Sequence, residues 1–291
     1  MAYNGVLDAT AQATRLTTVD VAGETHVLMY DRESGRGLLL RASSATAEPP
    51  QHDASILELG PNLDLLDSFV LGNLAYILGY VADGGRVHIF QLTQELRLVG
   101  PYTYSRTREP GVTVGFSTIR AFTTYGKVGI LGYNDQNGYV ALYSVDVLAR
   151  STDDLPPLAL TNTWSHQWAK GWTRFAFFTQ GGAVFFLKTN TWRPNVNVDH
   201  VWDHLQGTTE VASHLDLRDA QELVHVIPVI PQGGDTYFLT YREKNGVLYR
   251  FRGDCAGWTE ALRLDLPSDI TDMIAAPTVD GAVVFALTPG Q

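Results

Sequence analysis

The 291-residue chain is 45% hydrophobic and 11% aromatic, enough apolar surface for a sizeable core, so wholesale disorder is excluded. Its 31 acidic against 21 basic residues give a net charge of -10, the wrong sign for nucleic acid or an anionic membrane as partner. A single cysteine, Cys255, excludes an internal disulfide framework and a cysteine-rich zinc site.

From the N-terminus onward one pattern returns six times: a glycine or asparagine, six mostly apolar residues, then usually a tyrosine. The copies begin at Gly23, Asn73, Gly126, Gly181, Gly234 and Gly281 and close at Tyr30, Tyr80, Tyr133, Lys188, Tyr241 and Thr288. Within them Val27, Ile77, Ile130, Phe185, Phe238 and Phe285 form one column, and Leu28, Leu78, Leu131, Phe186, Leu239 and Ala286 the next. Each copy is short, rich in β-branched and aromatic residues and bounded by turn residues, which predicts a strand.

Four closing tyrosines are followed by polar turns that reach a glycine at Gly35, Gly85, Gly138 and Gly246, a residue that takes positive φ without a Cβ penalty. Apolar segments flank each copy, as in Phe116 to Thr123 before it and Val140-Ala141-Leu142-Tyr143 after it. Four strands per period of about 50 residues is the unit of a propeller blade. The sixth copy has two strands, while Asn4-Gly5-Val6-Leu7 matches Asn245-Gly246-Val247-Leu248 of the fifth. The expectation is one all-β domain over residues 1–291, a six-bladed β-propeller of four-stranded antiparallel blades, its last blade closed by the N-terminal strand.

The fourth period carries Trp164-Ser165-His166-Gln167-Trp168-Ala169-Lys170-Gly171-Trp172-Thr173-Arg174-Phe175. With the glycine-to-tyrosine strands along the whole chain, this resembles the tachylectin-like and fungal fucose-lectin-like propellers. Such lectins repeat an arginine, a glutamate and a stacking aromatic in every blade. Here that constellation does not recur, because Gly-Trp-Thr stands only at Gly171 and, in a different strand, at Gly257-Trp258-Thr259. The resemblance also implies a scaffold shared with cofactor-free cyclases of fungal secondary metabolism, including hetero-Diels–Alderases.

The innermost strand of each blade lines the channel, and counting back from the six starting residues gives Arg15, Asp67, Arg120, Arg174, His225 and Asp272. Strand parity places Arg15, Arg174, His225 and Asp272 in one ring and Asp67 and Arg120 in another, with Phe69, Phe122 and Phe178 beside them and Trp172 at the rim. A site repeated six times would show six copies of one residue. This unequal set suits one ligand with several distinct groups. Arginine can hold a developing oxyanion, and His225 can move a proton, with Asp272 to fix its tautomer. Salt bridges across the channel are the plain structural alternative.

Metal binding has little support: on a strand His200 and His204 would stand about 13 Å apart. No phosphate loop, dinucleotide fingerprint or serine elbow is present. The resemblance, taken with the unequal inner-strand set, implies a cofactor-independent cyclase or pericyclase of secondary metabolism, with Arg120, Arg174 and His225 as the expected catalytic residues. Its substrate-binding residues are Arg15, Asp67, Phe69, Phe122, Trp172, Phe178 and Asp272. The partner is one largely apolar small-molecule metabolite, with neither metal nor cofactor; the alternative is a carbohydrate-binding lectin. No apolar run approaches the roughly 18 residues of a membrane span, and Met1-Ala2-Tyr3-Asn4-Gly5 lacks a secretory signal, so the expected location is cytoplasmic.

Overall fold

The computed structural model describes residues 13–43, 54–105, 115–148, 158–193, 195–213, 222–231, 235–251, 257–278 and 281–289. Blade 1 is built from β1 (Arg15–Val21), β2 (Glu24–Tyr30), β3 (Arg36–Arg41) and β4 (Ala54–Glu58). Blade 2 follows with β5 (Leu65–Leu71), β6 (Leu74–Val81), β7 (Arg86–Leu92) and β8 (Leu98–Tyr104). Blade 3 holds β9 (Thr118–Thr124), β10 (Lys127–Tyr133), β11 (Tyr139–Val147) and β12 (Leu158–Gln167). Blade 4 holds β13 (Trp172–Gln180), β14 (Ala183–Asn190), β15 (Val196–Val201) and β16 (Thr208–Ala212). Blade 5 holds β17 (His225–Val229), β18 (Tyr237–Arg242), β19 (Asn245–Phe251) and β20 (Trp258–Asp265), and a last sheet holds β21 (Asp272–Thr278) and β22 (Gly281–Leu287).

Every sheet is an antiparallel meander with its strands in chain order. The first strands neighbour one another in sequence around a ring, β1 beside β5, then β9, β13, β17 and β21, and β21 again beside β1. This is a propeller arrangement. The blade count differs from the sequence expectation: five sheets have four strands, and the sixth has two among the described residues. Only two strands of the last period lie between Asp272 and Leu287, and the segment expected to complete it, residues 4–7, lies outside the described residues, as do Gly234 and Cys255.

The second strands carry the core. Leu28, Ile77, Leu78, Leu131 and Leu239 are fully buried, as are Tyr30, Tyr80, Tyr133 and Tyr241. Successive apolar clusters fill the spaces between neighbouring blades rather than one central volume, because both faces of a radial sheet meet another sheet. The hairpins before β2 and β10 turn on two consecutive positive-φ residues, Ala22-Gly23 and Tyr125-Gly126, whereas the one before β6 has positive φ at Gly72. In blade 4 the pair is Gly181-Gly182, so the fourth copy starts one residue later than the sequence count placed it. Thr189, paired with Arg174 as Tyr30 is with Arg15, holds the tyrosine's place.

Candidate functional site

The polar residues of the inner strands fall into two groups, and most of them are occupied by main-chain partners in the next blade. Arg15 donates from Nε to the Asp64 carbonyl at 3.1 Å and from Nη1 to that of Thr14 at 2.7 Å. Arg174 repeats the arrangement, Nε to the Val224 carbonyl and Nη1 to that of Thr173 at 3.1 Å. Asp64 and Val224 each precede the first strand of the following blade, so the two arginines are straps between blades. Burial holds the Arg174 guanidinium below its ordinary pKa.

The aspartates form a second kind of strap. Asp272 accepts the Met273 N–H on Oδ1 at 2.9 Å and the Leu16 N–H on Oδ2 at 2.7 Å, joining the last sheet to the first blade. Asp67 does the same one junction type removed: Ser68 N–H to Oδ1 at 2.9 Å and Ala121 N–H to Oδ2 at 2.8 Å. Burial pushes the Asp67 carboxyl up, against the pull of Arg120 and the two amides. Arg120 is the exception among the cations. Its side chain is 43% exposed, and its one ion-pair partner among the described residues is Asp67, at 3.9 Å.

His225 stands between these groups. Its Nε2 lies 3.1 Å from the Ile270 carbonyl, and a carbonyl only accepts, so Nε2 carries the hydrogen and the neutral ring presents its lone pair at Nδ1. Burial lowers its pKa foremost, and Arg174 adds to that; the Ile270 carbonyl and Asp272 pull the other way. The sequence expectation that Asp272 fixes the tautomer is corrected here. Both Asp272 oxygens serve backbone amides, and the Ile270 carbonyl does the fixing.

The aromatic residues singled out in the sequence lie in the packing between blades. Phe69 stacks on Tyr76 at 5.1 Å, Phe122 on Phe177 at 5.3 Å, and Phe178 meets Phe238 edge-on at 5.3 Å. All three are buried, as is Trp172. Trp172 and Trp168 instead cover the Lys188 ammonium, 4.9 and 4.1 Å from their ring centres, and Lys188 pairs with buried Asp199 at 2.7 Å. Sequence reasoning missed this pair. The tryptophan spacing was its one visible signal. Desolvation lowers the Lys188 pKa and raises that of Asp199, each against the attraction of the other. Among the described residues no cluster of three or more histidine, cysteine or acidic side chains could hold a metal ion.

A cavity of about 750 Å³ opens on blade 5, away from the inner strands, lined by Leu223, Arg242, Tyr249, Trp258, Glu260 and Arg263 among others. Glu260 and Arg263 form a bidentate pair at 2.6 and 3.0 Å on its wall.

No family model matches the sequence, and no curated protein matches it. Solved structures do. The chain is similar to the major allergen Mala s 1 of Malassezia sympodialis, with a TM-score of 0.57 at 9% identity over 91% of this chain and 84% of that one. It is equally similar to a protein from Lactobacillus plantarum, TM-score 0.57 at 14% identity over 99% and 85%. An exo-β-1,3-galactanase from Phanerochaete chrysosporium superposes with a TM-score of 0.54 at 9% identity over 86% and 63%. At these identities the likeness is one of fold, and proteins of varied function share it. Among the described residues no helix is long and apolar enough to cross a membrane.

Proposed function

We propose that the protein is a cofactor-free enzyme of the cyclase or pericyclase class that binds one small, largely apolar metabolite at the inner strands. The observation that carries this reading is the division of labour among the inner-strand polar groups. Arg15, Arg174, Asp67 and Asp272 tie blades together, which leaves a half-exposed guanidinium at Arg120 and a neutral imidazole with an accepting Nδ1 at His225. A cation that polarises an oxygen and a base that takes a proton are a pair of roles that assist ring closure without metal or nucleotide. Arg120 holds the developing oxyanion by charge-assisted hydrogen bonds, and His225 receives or returns the proton.

The proposal includes the finer architecture: a single domain over residues 1–291, its sixth blade completed by residues 4–7 pairing beside β22. Deleting the first ten residues then exposes an apolar sheet edge and lowers the melting temperature of the whole ring.

Arg120→Ala and His225→Gln test the chemistry. In a small-molecule extract of the producing cells, wild type converts a metabolite that neither variant converts, while both variants melt close to wild type. Activity survives chelator and exhaustive dialysis. Turnover unchanged in Arg120→Ala contradicts the proposal. A second reading, a carbohydrate-binding lectin, is favoured by one observation: the blade 5 cavity combines Trp258 and Tyr249 with Arg263 and Glu260, an aromatic platform beside charged groups that suits a sugar ring. Glycan binding lost in Trp258→Ala and kept in Arg120→Ala supports that reading instead.

A further inference from the structure

One residue of each inner strand stands at a common depth, paired with the residue at or next to the end of the second strand beside it. These are Arg15, Leu65, Thr118, Arg174, His225 and Asp272. Three residues further on, about 10 Å along the strand, a second ring holds Thr18, Ser68, Ala121, Phe177, Pro228 and Ala275. Every member of both rings keeps part of its surface exposed, while the residue after each member of the first ring is buried between blades. The two rings are therefore the wall of a channel that solvent reaches.

The two halves of this wall differ in charge. Strands β21, β1 and β5 carry Arg15 with three aspartates. Strands β9, β13 and β17 carry Arg120, Arg174 and His225 and no acidic residue. Arg120 has Asp67 beside it, but Arg174 has no carboxylate. Its Nε and Nη1 donate to the Val224 and Thr173 carbonyls, and among the described residues Nη2 makes no hydrogen bond and the guanidinium no ion pair. Burial lowers its pKa with no neighbouring acid to oppose the shift. A partly buried cation calls for a counter-ion, and here the chain supplies none. Above it in the second ring lie the apolar surfaces of Ala121, Phe177 and Pro228. Phe177 is held in place by stacking on Phe122 at 5.3 Å and on Phe186 at 4.9 Å.

We propose that the metabolite bound at the inner strands is a carboxylic acid, its carboxylate on Nη2 of Arg174 and its apolar body against Ala121, Phe177 and Pro228. This rests on the reading that these strands hold one small metabolite. One uncompensated guanidinium matches a monoanion. A phosphate dianion leaves a negative charge over, in a channel that already holds Asp67 and Asp272. Strap and anchor are one side chain: Nε and Nη1 fix the plane of the guanidinium, so little freedom is lost when Nη2 takes the ligand. A neutral ligand of the same shape leaves the cation uncompensated and is bound less tightly.

The probe is 3-phenylpropanoate, titrated by calorimetry against its uncharged amide. Wild type binds one acid per chain, about thirtyfold more tightly than the amide, the worth of one charge-assisted hydrogen bond. Arg174→Gln binds acid and amide alike, and Arg174→Lys, which keeps the charge, recovers part of the difference. Because Arg174 also ties blades 4 and 5 together, a wild-type crystal decides the matter should these variants fail to fold. Soaked with 3-(4-bromophenyl)propanoate, it shows the bromine's anomalous signal beside Phe177 and the carboxylate on Arg174. Equal affinity for acid and amide in wild type, a preference for the acid kept in Arg174→Gln, or bromine only away from the inner strands overturns the proposal. Turnover that depends on Arg120, found without any preference for the acid, overturns the carboxylate and leaves the enzyme standing. A preference for the acid without turnover of any metabolite supports this site and fails the enzyme.

Discussion

Removing the Asp272 carboxylate tests how the ring is closed. Its Oδ2 accepts the Leu16 N–H at 2.7 Å across 256 positions of sequence, the contact of longest sequence separation among the hydrogen bonds described above. A hydrogen bond to a charged acceptor contributes about 1.5–3 kcal/mol, and a buried amide left without an acceptor costs about 1–3 kcal/mol. Leu16 is 5% exposed, so water does not freely replace the carboxylate. Asp272→Ala therefore costs about 3 kcal/mol. At roughly 2–4 °C per kcal/mol for a large domain, the melting temperature falls by about 6–12 °C. Asp272→Asn keeps one accepting oxygen for Leu16 but sets its NH2, a donor, against the Met273 N–H, so it recovers only part of the loss. Asp67→Ala, with the same geometry at an interior junction, is the control for local cost. Hydrogen exchange separates the two: Asp272→Ala loses protection in β1, β2, β21 and β22, and Asp67→Ala in β5 and β9. An Asp272→Ala protein that melts within a degree or two of wild type refutes the strap.

Three further outcomes follow from the same geometry. Arg174→Ala lowers the melting temperature more than Arg120→Ala, because Arg174 bridges to the Val224 carbonyl while Arg120 is half exposed beside Asp67 at 3.9 Å; equal melting curves for the two variants contradict the assignment of straps. Lys188→Met strands the buried Asp199 carboxylate at a cost of about 3–5 kcal/mol, and adding Asp199→Leu restores most of it; a double variant no better than the single one contradicts the pairing. For pH, the His225 and His88 pKa values are lowered by burial, so the unfolded chain binds more protons as pH falls through about 6.5. Their contribution is fully present above that pH and is lost below it. The melting temperature falls between pH 7 and 5, less steeply in His225→Gln; identical slopes for wild type and variant remove His225 from the account.

Much of this architecture is legible in the chain itself. Strand-length columns ending in tyrosine expose the period, and the tyrosines are where the core is most completely buried. The slip at the fourth copy has a local cause: Gly181-Gly182 offers two candidate turn glycines, and the second of them aligns with Gly23 and Gly126. Counting back along the inner strands found Arg15, Asp67, Arg120, Arg174, His225 and Asp272. It could not reveal which face the backbone amides and carbonyls of the next blade present to them, and those groups occupy Arg15, Arg174 and both aspartates. Phe69, Phe122 and Phe178 misled for a related reason. On a radial strand the alternating faces turn toward neighbouring blades, so apolar residues there serve inter-blade packing. Lys188 and Asp199 meet across two strands in a register no spacing rule encodes.

The claim that one small molecule binds at the inner strands is tested most directly by a crystal structure of the protein after incubation with the small-molecule extract of its own cells. The account predicts a single organic density at the inner strands, in contact with the Arg120 guanidinium and with Nδ1 of His225. Inner strands free of ligand, with density instead at several blade edges and none within reach of Arg120, would contradict it.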